Sequence, residues 1–199
     1  MTTPTKPRQL TYMERTARFP LDFSIDLGSE IKQVKVPAAW ESLHLTRLGP
    51  FDMAGHTIAP RLNLAAAPVL AAFFYAIEKG GASGDILSFD GGYCARLKRG
   101  VTPLPAGSSK DLWGKQLSNH SRGTAVDLNA AQNPMGHPPA AAGTLGSLHR
   151  IAEIAHAVRV DIETPHGHIW PAGIVWGGDW KGAAIDPMHF EVGTWEPAT

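Results

Sequence analysis

The sequence predicts one α+β domain, a small antiparallel sheet flanked by helices, and three observations predict it. A chain of 199 residues has one-domain length, and 43% apolar residues suffice for a core. Apolar residues recur at helical spacing in two stretches and alternate with polar ones in shorter stretches. With 21 glycines and 16 prolines, many turns must separate short elements. No repeat or low-complexity linker divides the chain, so a single layered domain is the simplest account.

Residues 1 to about 35 lack a sustained period and read as an arm or a pair of short strands. The N-terminal extension, taken as 1–50, is expected to pack on a domain spanning 51–199. From Pro60 to Lys79, Leu62, Leu64, Ala65, Leu70, Phe73, Phe74 and Ile77 follow helical spacing, and Gly80-Gly81 stops the run. Pro68 should kink or restart that helix. Asp85–Asp90 reads as a strand ending at Gly91-Gly92, and 100–116 as loop. Thr124–Asn129 reads as a strand, 130–146 as a Pro/Gly/Ala-rich loop, and Leu148–Val158 as a helix. After a long loop, Ile174–Trp176 and Met188–Val192 are the closing strands.

Eighteen basic residues balance eighteen acidic ones, so no net field draws this chain to nucleic acid or an anionic membrane. The apolar run Leu64–Ile77 is short for a membrane span and is broken by Pro68. The first ten residues carry charge with no apolar run behind them, which is not a secretory signal. A lone Cys94 cannot form an internal disulfide, so a metal site would draw on the nine histidines with Asp and Glu. Cys94 itself lacks a nucleophile's partner motif and reads as an ordinary thiol.

Strand alternation concentrates the chemistry. In 124–129, Val126 and Leu128 share one face, while Ala125, Asp127 and Asn129 share the other. In 188–192, Met188, Phe190 and Val192 share one face, leaving His189 and Glu191 opposite. If the two strands pair, Asp127 and His189 lie side by side, and His120 on the incoming loop can fold over the same point. Two histidines and a carboxylate are a three-ligand set that leaves zinc an open position. Asp186 at the rim could take a proton from an activated water, and Arg96 could face a developing oxyanion. Spacing alone leaves open that these are satisfied core histidines.

The residues carry a resemblance beyond spacing. Leu117–Asn129 contains Ser118-x-His120-x-x-Gly123-x-Ala125-x-Asp127, preceded by Gly92-Tyr93-x-x-Arg96 and followed by Trp176-Gly-Gly-Asp-Trp180 and Asp186-x-x-His189. In this order the motifs resemble the zinc D-alanyl-D-alanine carboxypeptidase / L-alanyl-D-glutamate endopeptidase family, in the branch that includes many phage endolysins. The resemblance covers about residues 55 to 192. It implies a zinc peptidase domain with the fold shared by D,D-peptidases and the hedgehog signalling domain. It further implies zinc on His120, Asp127 and His189, Asp186 as general base, and Arg96 holding substrate or the tetrahedral intermediate. Ser118 would position a substrate carboxylate or the metal loop, and Tyr93, Trp176 and Trp180 are candidate substrate contacts. Core packing is an equal reading for the two tryptophans.

Other residues keep two readings. His166-Gly-His168 could enter a ligand set of His120, Asp127 and His168, but a solvent loop or substrate-lining role is favoured. Glu191 is either a partner of a ligand histidine or a surface ion pair. Arg122 reads as solvated, Asp179 as a turn cap, and Gly91-Gly92 as a tight turn. His44, His56, His137, His149 and His156 receive no role.

The implied partner is the peptidoglycan stem peptide, cut by zinc-activated water. Endolysin-like cleavage of L-Ala–D-Glu leads, because Asp186 stands where carboxypeptidase relatives carry Glu. A D-alanyl-D-alanine carboxypeptidase and a non-catalytic zinc-stabilised binding domain are the alternatives. The expected setting is synthesis in the cytoplasm without a signal peptide and action on the cell wall or periplasm, through a holin if phage-encoded. A monomer without membrane insertion or nucleic-acid binding is expected.

Overall fold

A computed structural model describes residues 6–26, 33–53, 55–164 and 167–197. The N-terminal part runs β1 (Arg8–Gln9), α1 (Tyr12–Arg18), β2 (Ser24–Asp26), β3 (Gln33–Lys35) and α2 (Ala38–His44). Then come β4 (Leu45–Arg47), β5 (Phe51–Met53), β6 (His56–Ile58), β7 (Arg61–Asn63), α3 (Ala67–Lys79) and β8 (Phe89–Gly91). The remainder is α4 (Lys110–Gln116), β9 (Ala125–Leu128), α5 (His149–Ala157), β10 (Val160–Glu163), β11 (Ile169–Trp176) and β12 (His189–Thr194). The class is α+β, as expected.

Six strands form one antiparallel sheet in the order β10-β11-β12-β9-β8, with β1 also paired to β12. The two strands with the clearest alternation are neighbours, and their register sets His189 opposite Asp127 and Glu191 opposite Ala125. Beyond Glu191 the same edge of β12 is taken over by β1, with Gln9 opposite Gly193 and Arg8 opposite Thr194. The first described strand thus continues the line of β9.

One sheet face is apolar. Val126, Leu128, Ile174, Trp176, Phe190 and Val192 join Phe73 and Phe74 of α3 and Ile151 and Ala155 of α5 in one buried cluster. Phe190 packs on Phe73 with ring centroids 5.3 Å apart and on Trp176 at 6.4 Å. Each fully buried side chain of this size contributes about 1.5–3 kcal/mol through surface removed from water. The extension shares this core through Leu10 and Phe19, both almost fully buried. A smaller cluster of Phe23, Val34, Trp113 and Leu117 lies between the extension and α4.

Several boundaries differ from expectation. The helix expected from Pro60 starts at Ala67, because Arg61–Asn63 pairs with β4 and the Asn63 side chain caps a 3-10 turn by accepting from the Ala65 N–H at 2.9 Å. Pro68 sits in the first turn, where its missing N–H costs nothing, so it does not kink the helix. The strand expected over 85–90 starts only at Phe89, after a 3-10 turn at Ser83–Asp85. The 100–116 loop contains α4: the Ser109 hydroxyl accepts from the Leu112 N–H, and burial of Trp113 provides the anchor. The long loop before Ile174 also holds β10 and the first part of β11, a hairpin pairing Val160 to Ala172. No described helix is long and apolar enough to cross a membrane.

Candidate metal centre

On the opposite face of β9 and β12 lies a compact polar cluster. Asp127 of β9 and His189 of β12 are cross-strand partners, and His189 Nδ1 is 3.0 Å from Asp127 Oδ1. His120 comes from the 3-10 turn Asn119–Arg122 that leads into β9, and that turn ends at Gly123 with φ +67°. A side chain at Gly123 would meet the Asn63 backbone nitrogen at 2.7 Å, so both the backbone angle and the close approach call for glycine. The turn swings His120 back so that its Nε2 lies 3.1 Å from Asp127 Oδ1 and 3.2 Å from His189 Nδ1.

Hydrogen bonds on the far sides of the rings set the tautomers. His120 Nδ1 is 2.7 Å from the Gly92 carbonyl, which can only accept, so Nδ1 donates and Nε2 carries a lone pair. His189 Nε2 donates to Glu191 Oε2 at 3.0 Å, which leaves Nδ1 as the ring nitrogen that faces Asp127 and His120. Two ring nitrogens and a carboxylate oxygen thus converge on one point, and with a divalent ion bound there both rings would be neutral and turn their lone pairs to it. A tetrahedral ion with bonds of about 2.0–2.1 Å would set its ligand atoms roughly 3.3 Å apart, close to the spacing found. The donor set fits zinc, and its nitrogen and oxygen atoms also suit other divalent ions.

The electrostatics point the same way. Burial would raise the Asp127 pKa, but its bonds to His120 and His189 outweigh that and hold the carboxyl far below its ordinary range. Burial would lower the His189 pKa, yet the Asp127 and Glu191 carboxylates hold it up at about 9. Glu191, almost fully buried, is brought down to about 2 against its burial by its bond to His189 and the charge of Arg15. The two buried carboxylates stay ionised because positive charge and hydrogen-bond donors face them, and a metal ion on the triad would add to that charge.

A cavity of about 560 Å³ opens over it, lined by His189, Asp186, Arg96, Ser118 and Trp180 among others. Asp186 is held by its backbone, N–H to the Gly177 carbonyl at 3.0 Å and carbonyl to the His189 N–H at 3.0 Å. Its Oδ1 is buried without a hydrogen-bond partner, and burial raises its pKa. Arg96 Nη2 stands 3.8 Å from the outer oxygen of Asp127. Ser121 fixes the Arg96 backbone, accepting from its N–H at 2.9 Å and donating to its carbonyl at 2.7 Å. Trp180 covers His189 with ring centroids 5.5 Å apart.

Two expected substrate contacts lie elsewhere. Tyr93 donates its hydroxyl to Glu41 at 2.6 Å and faces Arg61, away from the cavity. Trp176 is a core residue, its indole N–H donating to the Pro187 carbonyl at 2.7 Å. His168 is well exposed, 3.5 Å from Glu196, and apart from the cluster; His166 lies outside the described residues. Arg122 is buried rather than solvated, donating to the Phe19 carbonyl at 2.5 Å and to Thr16 at 3.3 Å. Asp179 pairs with Lys6 and His156, each at 2.8 Å, which anchors the turn that carries Trp180. Cys94 is exposed.

Sequence reasoning passed over Asn119, Gly92, Gln9 and Arg15. Asn119 sits inside the motif and donates to Glu191, and the Gly92 carbonyl orients His120. Both belong to segments already singled out, Asn119 beside His120 and Gly92 at the head of the Gly92-Tyr93-x-x-Arg96 motif, and that membership was the signal. Gln9 and Arg15 reach the site from 176 or more positions away, and nothing local announces them.

No curated protein and no solved structure matches this chain. Residues 113–192 match the model of a protein family described as D-alanyl-D-alanine carboxypeptidase, a stretch that holds His120, Asp127, Asp186 and His189.

Proposed function

We propose that this chain is a zinc-dependent peptidase of the D-alanyl-D-alanine carboxypeptidase / L-alanyl-D-glutamate endopeptidase family, acting on the peptidoglycan stem peptide of the cell wall. The observation that carries it is the triangle of His120 Nε2, Asp127 Oδ1 and His189 Nδ1, 3.0–3.2 Å on each side, at the base of a cavity lined by His189, Asp186 and Arg96. The peptidase domain is taken as 51–199, with 1–50 as an extension packed on it. The likeness of fold to the hedgehog signalling domain rests on the motifs alone.

A divalent ion on this triad supplies Lewis acidity, activating water and polarising an amide carbonyl. The chain's own residues do the rest. Asp186, with a raised pKa and an unpartnered oxygen, is suited to take the proton of the attacking water and deliver it to the leaving amine. Arg96 keeps a fixed positive charge at the cavity wall for the oxygen that gains negative charge. Trp180 shields the His189 side from bulk water, and Ser118 is a candidate contact for a substrate carboxylate.

Asp186 favours the L-alanyl-D-glutamate endopeptidase of endolysin type. The description of the matched family favours removal of terminal D-alanine as the second reading. Mass spectrometry of purified peptidoglycan digested with zinc-loaded protein separates them. New L-alanine carboxyl ends are the expected product; free D-alanine supports the carboxypeptidase. Asp186→Asn should cut turnover by about 10²–10⁴ while retaining one bound zinc, and His189→Ala should lose the metal. Intact peptidoglycan with one zinc bound would leave a binding domain.

A further inference from the structure

The arm at residues 7–19 lies outside the 113–192 stretch that matches the family, yet it reaches the metal centre. The Glu191 carboxylate receives four donors. Oε2 accepts from His189 Nε2 at 3.0 Å and from the Asn119 amide; Oε1 accepts from Gln9 Nε2 at 3.1 Å and Arg15 Nη2 at 3.4 Å. One oxygen thus serves the domain's own strand and turn, and the other serves β1 and α1. Gln9 and Arg15 also line the cavity above the triad.

Two features seat the arm. A side chain at Gly193 would meet the Arg8 carbonyl at 2.5 Å, so glycine is needed for β1 to lie against β12. Arg15 also donates to the Leu10 carbonyl at 3.0 Å, which holds its guanidinium over Glu191. The carboxylate that fixes the His189 ring is therefore itself held from the arm.

The geometry points to Gln9 and Arg15 as positioning residues of the metal centre: by clamping Glu191 they hold His189 in its ligating orientation. This inference rests on the triad binding a metal. Partners that orient a metal-bound histidine through a second hydrogen bond typically set affinity by 10–100-fold.

The test compares zinc affinity, by competition with a chromophoric chelator, and the visible spectrum of the cobalt-loaded protein. The chains are the parent, Gln9→Leu/Arg15→Met, Arg15→Lys and Arg18→Ala. Arg18 belongs to the same arm and pairs with Glu196 at 2.6 Å, but it makes no contact with Glu191. The expected result is a 10–100-fold loss of affinity with an altered cobalt spectrum in the double variant. Arg15→Lys should recover most of that loss, and Arg18→Ala should lower the melting temperature at unchanged affinity. Gln9→Leu alone, at an exposed position, should fold normally and show part of the loss. Parent-like affinity in the double variant, or an equal loss in Arg18→Ala, would overturn the inference. A parent that binds no zinc would overturn the metal reading as well, and that is visible before any variant is made.

Discussion

On one face of β9 and β12, Val126, Leu128, Phe190 and Val192 pack against α3; on the other, Asp127, His189 and Glu191 form a buried polar cluster beneath the cavity that His189 lines. The backbone and register are shared, so only the side chains differ. The apolar face gains from burial and is indifferent to direction. Buried charge gains nothing unless each charge is partnered, so each polar group on the other face is held in a single orientation. One face is built for stability, and the other spends stability on a preformed site.

The sharpest way to break this contrast is Phe190→Ala. It should cost about 3–5 kcal/mol in denaturant unfolding, because Phe73 and Trp176 lose a packing partner. The remaining folded protein should still bind one zinc. A variant that unfolds little but loses the metal would mean that the two faces are not separable.

Glu191→Gln is a smaller change on the opposite face. All four neighbours of this carboxylate are donors, and an amide offers only one acceptor oxygen, so its NH2 would face donors. The expected cost is about 1–3 kcal/mol in stability, with a tenfold or greater fall in zinc affinity by chelator competition. Unchanged affinity would place Glu191 with the structural face.

The smallest effect concerns the arm. Its bond to Arg8 outweighs burial and holds the Glu14 pKa at about 2, below the ordinary 4.5. A depressed carboxyl contributes stability that is complete above pH 4.5 and is lost as pH falls towards 2. Amide-exchange protection of α1 should therefore fall over that window before protection of β11 does. Glu14→Gln should flatten the difference.

How much was legible depended on range. Alternation in 124–129 and 188–192 disclosed which side chains share a face, and that sufficed to bring His189 beside Asp127. His120 was legible from its motif, because a short turn leaves few places for it. The segment 100–116 was not, since Pro103, Pro105 and Gly107 masked the capped helix that follows them. Trp176 was ambiguous as a lone aromatic; its pairing with Phe190 across β11 and β12 settles its place in the core. The grip of Gln9 and Arg15 on Glu191 was invisible because it depends on the folded path of nearly the whole chain.

That path has a kinetic consequence. Arg8 donates to the Glu196 carbonyl across 188 positions, and β1 meets β12 over a similar span. Contacts this distant close late, because the intervening loop entropy must be offset first by nearer pairings such as β10 with β11. During synthesis the arm emerges before β12 and must wait for it. Until then the outer oxygen of Glu191 has neither Gln9 nor Arg15, so the final tightening of the His189 side belongs to the last step of folding.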